Sequence, residues 1–242
     1  MSRVIHWGDS SRQALVDELP EAVVVLAIGA VEQHGPYLPT TTDILISSRV
    51  AAAAAEVSVE RGGRTVIVAP PLPFGISGHH RAFGGTLSLE PRTMLAVLED
   101  LIDSIERQGG RRLLIVNGHG GNRGIARAAA SAADARESIT VAAVDYWDLH
   151  AGAAPGHAGE VETSLVLAIA PELVAAPIPP RADPPTLPSI GPASYHGAWV
   201  WRGIDGYTDD PSRADAVAGQ AFIATVVDGL ADLIVSFGAL PA

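Results

Sequence analysis

The segment VVVLAIGAVEQHGPYLPTTTD, residues 23–43, carries the strongest structural signal in the chain. It begins with an unbroken aliphatic run, which is typical of a strand buried on both faces. Three side chains that can bind a metal ion follow close together: Glu32, His34 and Asp43. Glu32 and His34 lie two residues apart, so on an extended segment both point the same way. The set suits a divalent ion; the alternative is a polar turn in which Asp43 caps the next helix.

Solid apolar runs alternate with helical patterns along the rest of the chain. We predict strands at residues 23–28, 65–69, 86–89, 112–116 and 140–144, and helices at residues 9–19, 43–60, 91–108, 123–135, 159–169 and 213–237. This alternation predicts an α/β fold with a mostly parallel central sheet covered by helices on both faces. Ligands of such folds bind at the carboxyl ends of the strands.

The length and composition narrow the possible functions. The 242 residues suit a single domain over residues 1–242, with a proline-rich excursion at about 171–192 that we expect to be a lid or an oligomer contact. The net charge of −11 argues against nucleic-acid and anionic-membrane partners. There is no cysteine, so any metal ion must be bound by His, Asp and Glu.

The same composition shapes our expectation of where the protein works. Residues 1–9 carry no apolar core of a signal peptide. We also expect no apolar run near the ~20 residues of a membrane-spanning helix. The sequence therefore favours a cytoplasmic protein with no membrane partner.

A glycine-rich loop follows the fourth predicted strand, with His119 between Gly118 and Gly120. Small neighbours let the backbone and the imidazole approach a ligand closely. A phosphate-binding loop is the alternative, but it would need a Lys and a Ser or Thr after the glycines, and Asn122-Arg123 does not supply them. We therefore favour a functional loop over a plain turn.

The predicted helix at residues 159–169 directs one carboxylate into its apolar stripe. Each helical residue turns by about 100°, so Glu162 falls on the face that carries Leu165, Val166 and Ile169. Burying an unpaired carboxylate is costly, so Glu162 needs a partner such as a metal ion. The alternatives are a different helix register or an arginine partner.

The loop at residues 70–85 contains Ser77, His79 and His80. Ser77 lacks the Gly-x-Ser-x-Gly context of a nucleophile elbow, which argues against a Ser-His-Asp hydrolase. We expect His79 and His80 to be surface or substrate-contacting residues rather than metal ligands.

Four motifs in order resemble those of the creatininase (creatinine amidohydrolase-like) family. They begin at Gly29, Gly75, Asn117 and His157, and they read Gly-x-x-Glu-Gln-His-Gly-Pro-x-Leu-Pro-x-x-x-Asp, Gly-x-Ser-x-x-His-x-x-Phe-x-Gly-Thr, Asn-Gly-His-Gly-Gly-Asn and His-Ala-Gly-x-x-Glu-Thr-Ser. The resemblance covers most of the chain. It implies a three-layer α/β/α sandwich that is often assembled as a hexamer, so we expect a homo-oligomer.

The resemblance also implies two divalent metal ions, zinc by expectation and manganese or iron as alternatives. These ions would activate a water to cleave the C–N amide bond of a cyclic amide, a formamide or a short peptide. Creatininase has a Glu ligand at the position of Gly121, and Glu162 looks like its replacement. His157 corresponds to the family's proton-shuttling histidine. The implied ligands are Glu32, His34, Asp43 as the bridge between the ions, His119 and Glu162.

Three departures from the family argue against creatinine as the substrate. Tyr37 stands where many members have His, His79 where many have Glu, and Gly120 where creatininase has an aromatic that contacts the substrate. We expect a small molecule or a short peptide, as for the family's mycofactocin-precursor peptidase or its formamidopyrimidine deformylase. Ser77, Gly120 and Trp147 are expected to line the substrate site. A non-catalytic metal-binding protein is the alternative.

Overall fold

The computed structural model describes residues 2–151, 155–183, 195 and 197–241. Its sheet contains the strands β1 (Val4–His6), β2 (Val23–Ile28), β3 (Val66–Val68), β4 (Arg112–Asn117) and β5 (Thr140–Asp145). These strands pair in parallel, in the order β1-β3-β2-β4-β5. The prediction of an α/β fold around a mostly parallel sheet is confirmed.

Helices cover this sheet on both faces. They are α1 (Arg12–Glu18), α2 (Thr42–Glu60), α3 (Pro91–Arg107), α4 (Arg123–Ala132), α5 (Glu160–Ile169), α6 (Ala198–Gly203) and α7 (Ala216–Gly238). Short 3-10 turns lie between several of them, including Gly78–Phe83 and Gly120–Asn122.

Two hydrophobic cores lie on opposite faces because successive residues of a strand point to opposite sides of a sheet. Val23 and Val25 of β2 belong to the core formed with α2, α5 and α7. Val24 and Leu26 belong to the core formed with α1, α3 and α4. The molecule is therefore the three-layer α/β/α sandwich that the resemblance implied.

Two predictions about strands were wrong. Strand β1 was not predicted, because three residues are too few to show a periodic pattern. Residues 86–89 were predicted as a strand but form only isolated bridges, to Val31 and Gly75. That segment runs beside the loops at the edge of the sheet without joining it.

The longest of the described helices, α7, corrects an expectation drawn from the composition. Its 23 residues include an 18-residue window of mean hydropathy 1.7, so by length and composition it could cross a membrane. We had expected no apolar run of that length. One side of α7 contributes Val226, Leu230 and Ile234 to the core beside α2 and α5, and a core helix can pass the same test of length and composition.

The loops after β2 and β4 meet the start of α2 at very close range. A Cβ on Gly29 would lie 2.6 Å from the backbone nitrogen of Ile44, and a Cβ on Gly118 would lie 2.5 Å from the carbonyl oxygen of Asp43. Only glycine allows the backbones to approach this closely. The two glycines therefore bring the ends of both strands to the turn that carries Asp43.

The proline-rich excursion is described as far as residue 183, and the rest of the predicted 171–192 range lies outside the described residues. Its Arg181 donates hydrogen bonds to the carbonyl oxygens of Ile204 and Tyr207, both at 2.8 Å. The guanidinium also lies 3.7 Å from the centre of the Tyr207 ring. The excursion is thereby fastened to the loop at residues 204–210.

Candidate metal centre

Five side chains predicted as ligands come together at the carboxyl edge of the sheet, and each is at most 4% exposed. The loop after β2 carries two of them, and α2, the loop after β4 and α5 carry one each. The five are Glu32, His34, Asp43, His119 and Glu162.

Asp43 lies between two histidines, and each of its two carboxylate oxygens faces a different one. Its Oδ1 is 3.1 Å from His34 Nε2, and its Oδ2 is 3.1 Å from His119 Nδ1. A second carboxylate stands beside each histidine: Glu162 Oε2 is 3.7 Å from His34 Nε2, and Glu32 Oε1 is 3.3 Å from His119 Nδ1. The site therefore consists of two groups of one imidazole and one carboxylate that share Asp43.

Backbone carbonyls hold the proton on the outer nitrogen of both rings. His34 Nδ1 donates to the carbonyl oxygen of Glu32 at 3.1 Å, and His119 Nε2 donates to that of Ile76 at 2.9 Å. In a neutral ring the other nitrogen then presents a lone pair to the carboxylates. Lone pairs and carboxylates repel each other unless a cation lies between them, and metal-binding histidines ordinarily donate their second N–H in this way.

Buried carboxylate oxygens that lack a hydrogen-bond partner among the described residues also indicate a cation at this place. Both carboxylate oxygens of Glu32 and Oδ2 of Asp43 are buried and have no hydrogen-bond partner among the described residues. A buried polar atom without a partner is costly. Ligand atoms within 4.8 Å of one another occur in the groups Glu32-His79-His119, Glu32-His34-His157 and His34-Asp43-Glu162. The residues fit a divalent cation.

The protonation equilibria of the cluster are strongly displaced. Burial acts to lower the pKa of His34, but Asp43 and Glu162 raise it to about 10. Burial also acts to lower the pKa of His119, but Glu32 and Asp43 raise that pKa well above its ordinary value. Burial raises the pKa of Glu162 to about 7. Protons compensate the clustered negative charge here, and a metal ion would take their place.

A tight turn before α5 aims Glu162 at the other ligands. Glu162 Oε2 accepts a hydrogen bond from the backbone N–H of Ala158, whose φ of +52° lies in the left-handed region that residues with a Cβ rarely adopt. No arginine among the described residues pairs with Glu162. Its carboxylate lies at His34 instead, on the buried side of α5.

The side chain of Gln33 connects two further histidines to the site. Its Oε1 accepts from the backbone N–H of Gly35 at 3.0 Å, and its Nε2 donates to the carbonyl oxygen of Gly206 at 2.6 Å. The same Nε2 lies 2.8 Å from His80 Nδ1 and 3.1 Å from His157 Nε2. On a straight strand the side chain of Gln33 would point to the side opposite those of Glu32 and His34. The sequence therefore did not indicate Gln33 as a residue of the site.

His157 presents a lone pair to the centre of the site. Its Nε2 donates to the carbonyl oxygen of Gln33 at 3.0 Å, and its Nδ1 lies 3.5 Å from Glu32 Oε1. Burial lowers the pKa of His157 well below its ordinary value, and His34 acts in the same direction. The ring is therefore a neutral proton acceptor beside the ligands.

His80 was expected to be a surface residue or a substrate-contacting residue, and the surface alternative was wrong. His80 is fully buried, and its Nε2 lies 3.7 Å from Glu32 Oε1. Trp201, which sequence reasoning also missed, packs its ring against His80 with a centroid separation of 4.5 Å and against His157 at 5.2 Å. Both contacts depend on α6, far away in the sequence, so no local pattern could have shown them.

The three residues predicted to line a substrate site fall in different surroundings. Ser77 is buried, with its Oγ 3.4 Å from His119 Nε2. Gly120 has open space where a Cβ would be. Trp147 is buried with its ring edge against Tyr146, and its described ring contacts do not include the five predicted ligands. Ser77 and Gly120 therefore adjoin the cluster more directly than Trp147 does.

Comparison with known proteins relates this geometry to a family. The family model described as creatinine amidohydrolase matches residues 10–234. The chain is 36% identical over 241 residues to the mycofactocin precursor peptide peptidase of Mycolicibacterium smegmatis, a match that covers 94% of this chain and 89% of that protein. It is 29% identical over 248 residues to the creatinine amidohydrolase of Pseudomonas putida, with 88% and 89% covered.

A solved structure agrees with these matches. A mutant creatininase of Zn–Zn type superposes with a TM-score of 0.77 at 25% identity, over 99% of this chain and 100% of that one. A single family relationship explains the sheet, the four motifs and the cluster of metal-capable side chains at the carboxyl edge of the sheet. The chain belongs to the creatininase family of amidohydrolases, and it is a hydrolase that acts on C–N bonds.

Proposed function

We propose that this protein holds two divalent metal ions and uses them to hydrolyse an amide bond of a short peptide. The observation that carries the proposal is Asp43, whose two oxygens face two different histidines at 3.1 Å. When bound, such ions activate a water molecule and polarise the carbonyl to be attacked. Zinc suits the mixed nitrogen and oxygen donors, with manganese or iron as alternatives.

The ligands divide into two sets that share Asp43. One ion would be held by Asp43, His34 and Glu162, and the other would be held by Asp43, His119 and Glu32. The histidine lone pairs that face these carboxylates support this division. The sets differ in their surroundings, because a nitrogen of His79 also comes within 4.8 Å of ligand atoms of Glu32 and His119.

His157 is the residue we propose to carry the proton. Its Nδ1 lone pair faces Glu32 Oε1 at 3.5 Å, and its outer N–H is held by the carbonyl of Gln33. In this position it can accept a proton from the attacking water and deliver it to the leaving nitrogen of the amide. A neutral imidazole is the form that this transfer requires.

A peptide substrate is favoured over creatinine by two observations. Gly120 leaves open space beside His119 where the resemblance places a bulky aromatic in creatininase. The identity to a peptide peptidase is 36%, against 29% to a creatinine amidohydrolase. Ser77, Gly120 and, less directly, Trp147 would line the substrate site. We further propose that the protein is cytoplasmic and forms a homo-oligomer. A hexamer is the family's usual assembly, and light scattering can measure the oligomeric state.

Metal analysis combined with a substrate panel tests the proposal. The purified protein is stripped with a chelator, reloaded with zinc or manganese, and assayed on short peptides, formamides, lactams and creatinine. We expect two ions per chain and metal-dependent cleavage of peptides. Two ions without hydrolysis of any amide would favour the non-catalytic alternative, and fewer than two would contradict the dinuclear site.

A further inference from the structure

Three imidazoles surround one oxygen of Glu32. Its Oε1 is 3.3 Å from His119 Nδ1, 3.5 Å from His157 Nδ1 and 3.7 Å from His80 Nε2. His119 and His157 each donate their outer N–H to a backbone carbonyl, so each ring, when neutral, turns a lone pair inward. Among the described residues, the outer nitrogen of His80 meets the side-chain amide of Gln33 instead of a carbonyl.

The amide of Gln33 determines where His80 carries its proton. The amide cannot be flipped, because its oxygen accepts from Gly35 N–H and its nitrogen donates to the carbonyl of Gly206. The second hydrogen of Nε2 is then directed to His80 Nδ1 at 2.8 Å. Since Nδ1 accepts this hydrogen bond, the proton of the His80 ring is on Nε2.

The Nε2–H of His80 points into the site, where none of the described residues accepts it. His80 is fully buried, and its Nε2 has no hydrogen-bond partner among the described residues. At 3.7 Å from Glu32 Oε1 it is too far for a direct hydrogen bond. A buried donor of this kind is costly unless a ligand satisfies it. His80 therefore offers the centre of the site a hydrogen, whereas His157 offers it a lone pair.

We propose that His80 is a further catalytic residue, which donates a hydrogen bond from Nε2–H to the scissile carbonyl oxygen as that oxygen gains negative charge. Gln33 is the positioning residue that keeps the His80 proton on Nε2. This inference rests on the proposed amide hydrolysis. His80 keeps its proton throughout, so no bond to hydrogen is broken at this residue, and His157 alone moves a proton.

The proton position can be measured in the wild-type, metal-loaded protein. Nitrogen-15 NMR of labelled histidine distinguishes a ring protonated on Nε2 from one protonated on Nδ1, and the loss of signals in His80→Gln assigns the residue. We expect the Nε2–H form for His80. In Gln33→Glu the new carboxylate accepts instead of donating, and we expect the Nδ1–H form. An Nδ1–H form in the wild type would overturn the proposal.

Kinetics of His80 variants test the catalytic role. His80→Phe keeps a planar aromatic ring but removes the donor, and we expect kcat to fall by about 10²–10³-fold with metal content and KM little changed. His80→Gln retains an N–H near the position of Nε2 and should recover part of kcat. His6→Phe, at an exposed residue on β1, is the matched control.

The outcomes separate this inference from the function on which it depends. An active wild type with an equally active His80→Phe would overturn the inference and leave amide hydrolysis standing. Loss of metal from His80→Phe would also overturn it, because His80 would then serve to hold Glu32. A wild type that cleaves no amide despite two bound ions would overturn the proposed function itself.

Discussion

His119 stands directly against Gly121: a Cβ on Gly121 would lie 2.4 Å from His119 Nε2 and 2.2 Å from the carbonyl oxygen of Ile76. No side chain fits there while His119 keeps its hydrogen bond to that carbonyl. The family resemblance places a carboxylate ligand of creatininase at this position. In this chain the second carboxylate beside His34, after Asp43, is that of Glu162 at 3.7 Å, and it comes from a different helix.

This contact predicts that Gly121→Ala weakens metal binding. The added methyl group must displace His119 or break its hydrogen bond to Ile76, and losing such an outer partner typically costs about 10–100-fold in metal affinity. Zinc titration against a competing chelator measures the effect. Gly124→Ala is the control, because it has open space where its Cβ would be. Equal affinities for both variants would contradict the prediction.

The sharing of Asp43 predicts different metal contents for substitutions in the two ligand sets. We expect Asp43→Ala to lose both ions, because it removes an oxygen from each set, and Glu162→Gln to lose one. Elemental analysis of reloaded protein gives the stoichiometry. Glu160→Gln is the matched control, since Glu160 lies on the same turn but pairs at the surface with Arg213. Glu162→Gln with two tightly bound ions would exclude Glu162 as a ligand.

Metal uptake should release protons. The pKa of His34 is raised to about 10, so without a metal ion its ring is protonated at neutral pH and must lose that proton to bind one. Glu162, with a pKa raised to about 7, adds a second proton in more acidic solution. We expect zinc affinity to fall as the pH is lowered. Calorimetry in buffers of different ionisation enthalpy counts the protons, and a binding enthalpy that is the same in every buffer would contradict the prediction.

Arg181 should influence activity without binding metal. It donates hydrogen bonds to two carbonyl oxygens of the loop at residues 204–210. Thr208 of that loop forms hydrogen bonds with the backbone N–H and carbonyl of His157. Lysine cannot reproduce the fork of donors. We therefore expect Arg181→Lys to lower kcat by about tenfold or more through misplacement of His157, with metal content unchanged. Arg213→Lys, at an exposed arginine, should behave like the wild type.

Local patterns were sufficient for most of the fold. The aliphatic run 23–28 matches β2, and the run 112–116 matches all but the last residue of β4. These strands are covered on both faces, so burial leaves a continuous apolar signal. The helical period also indicated the buried face on which Glu162 lies. Strand β1 escaped because its three residues are stabilised by pairing with β3 rather than by their own pattern.

The parts of the site that could not be predicted depend on contacts between distant segments. His80 is oriented by Gln33, and Gln33 is oriented by the carbonyl of Gly206, which lies 173 residues further along the chain. Every residue has a backbone carbonyl, so the residue type does not show which carbonyl will accept a hydrogen bond. The packing of Trp201 on His80 is equally distant in sequence. Sequence patterns report what a residue prefers, whereas these roles are decided by which segment arrives beside it.

Main-chain carbonyls, those of Glu32, Gln33 and Ile76, determine which ring nitrogen of His34, His157 and His119 faces the site. A carbonyl oxygen is present whatever side chain its residue carries. The ring directions therefore depend on the path of two loops and tolerate side-chain exchange around them as long as that path is kept. A protein built in this way can acquire a new substrate preference at positions such as Gly120 while its hydrolytic centre stays intact.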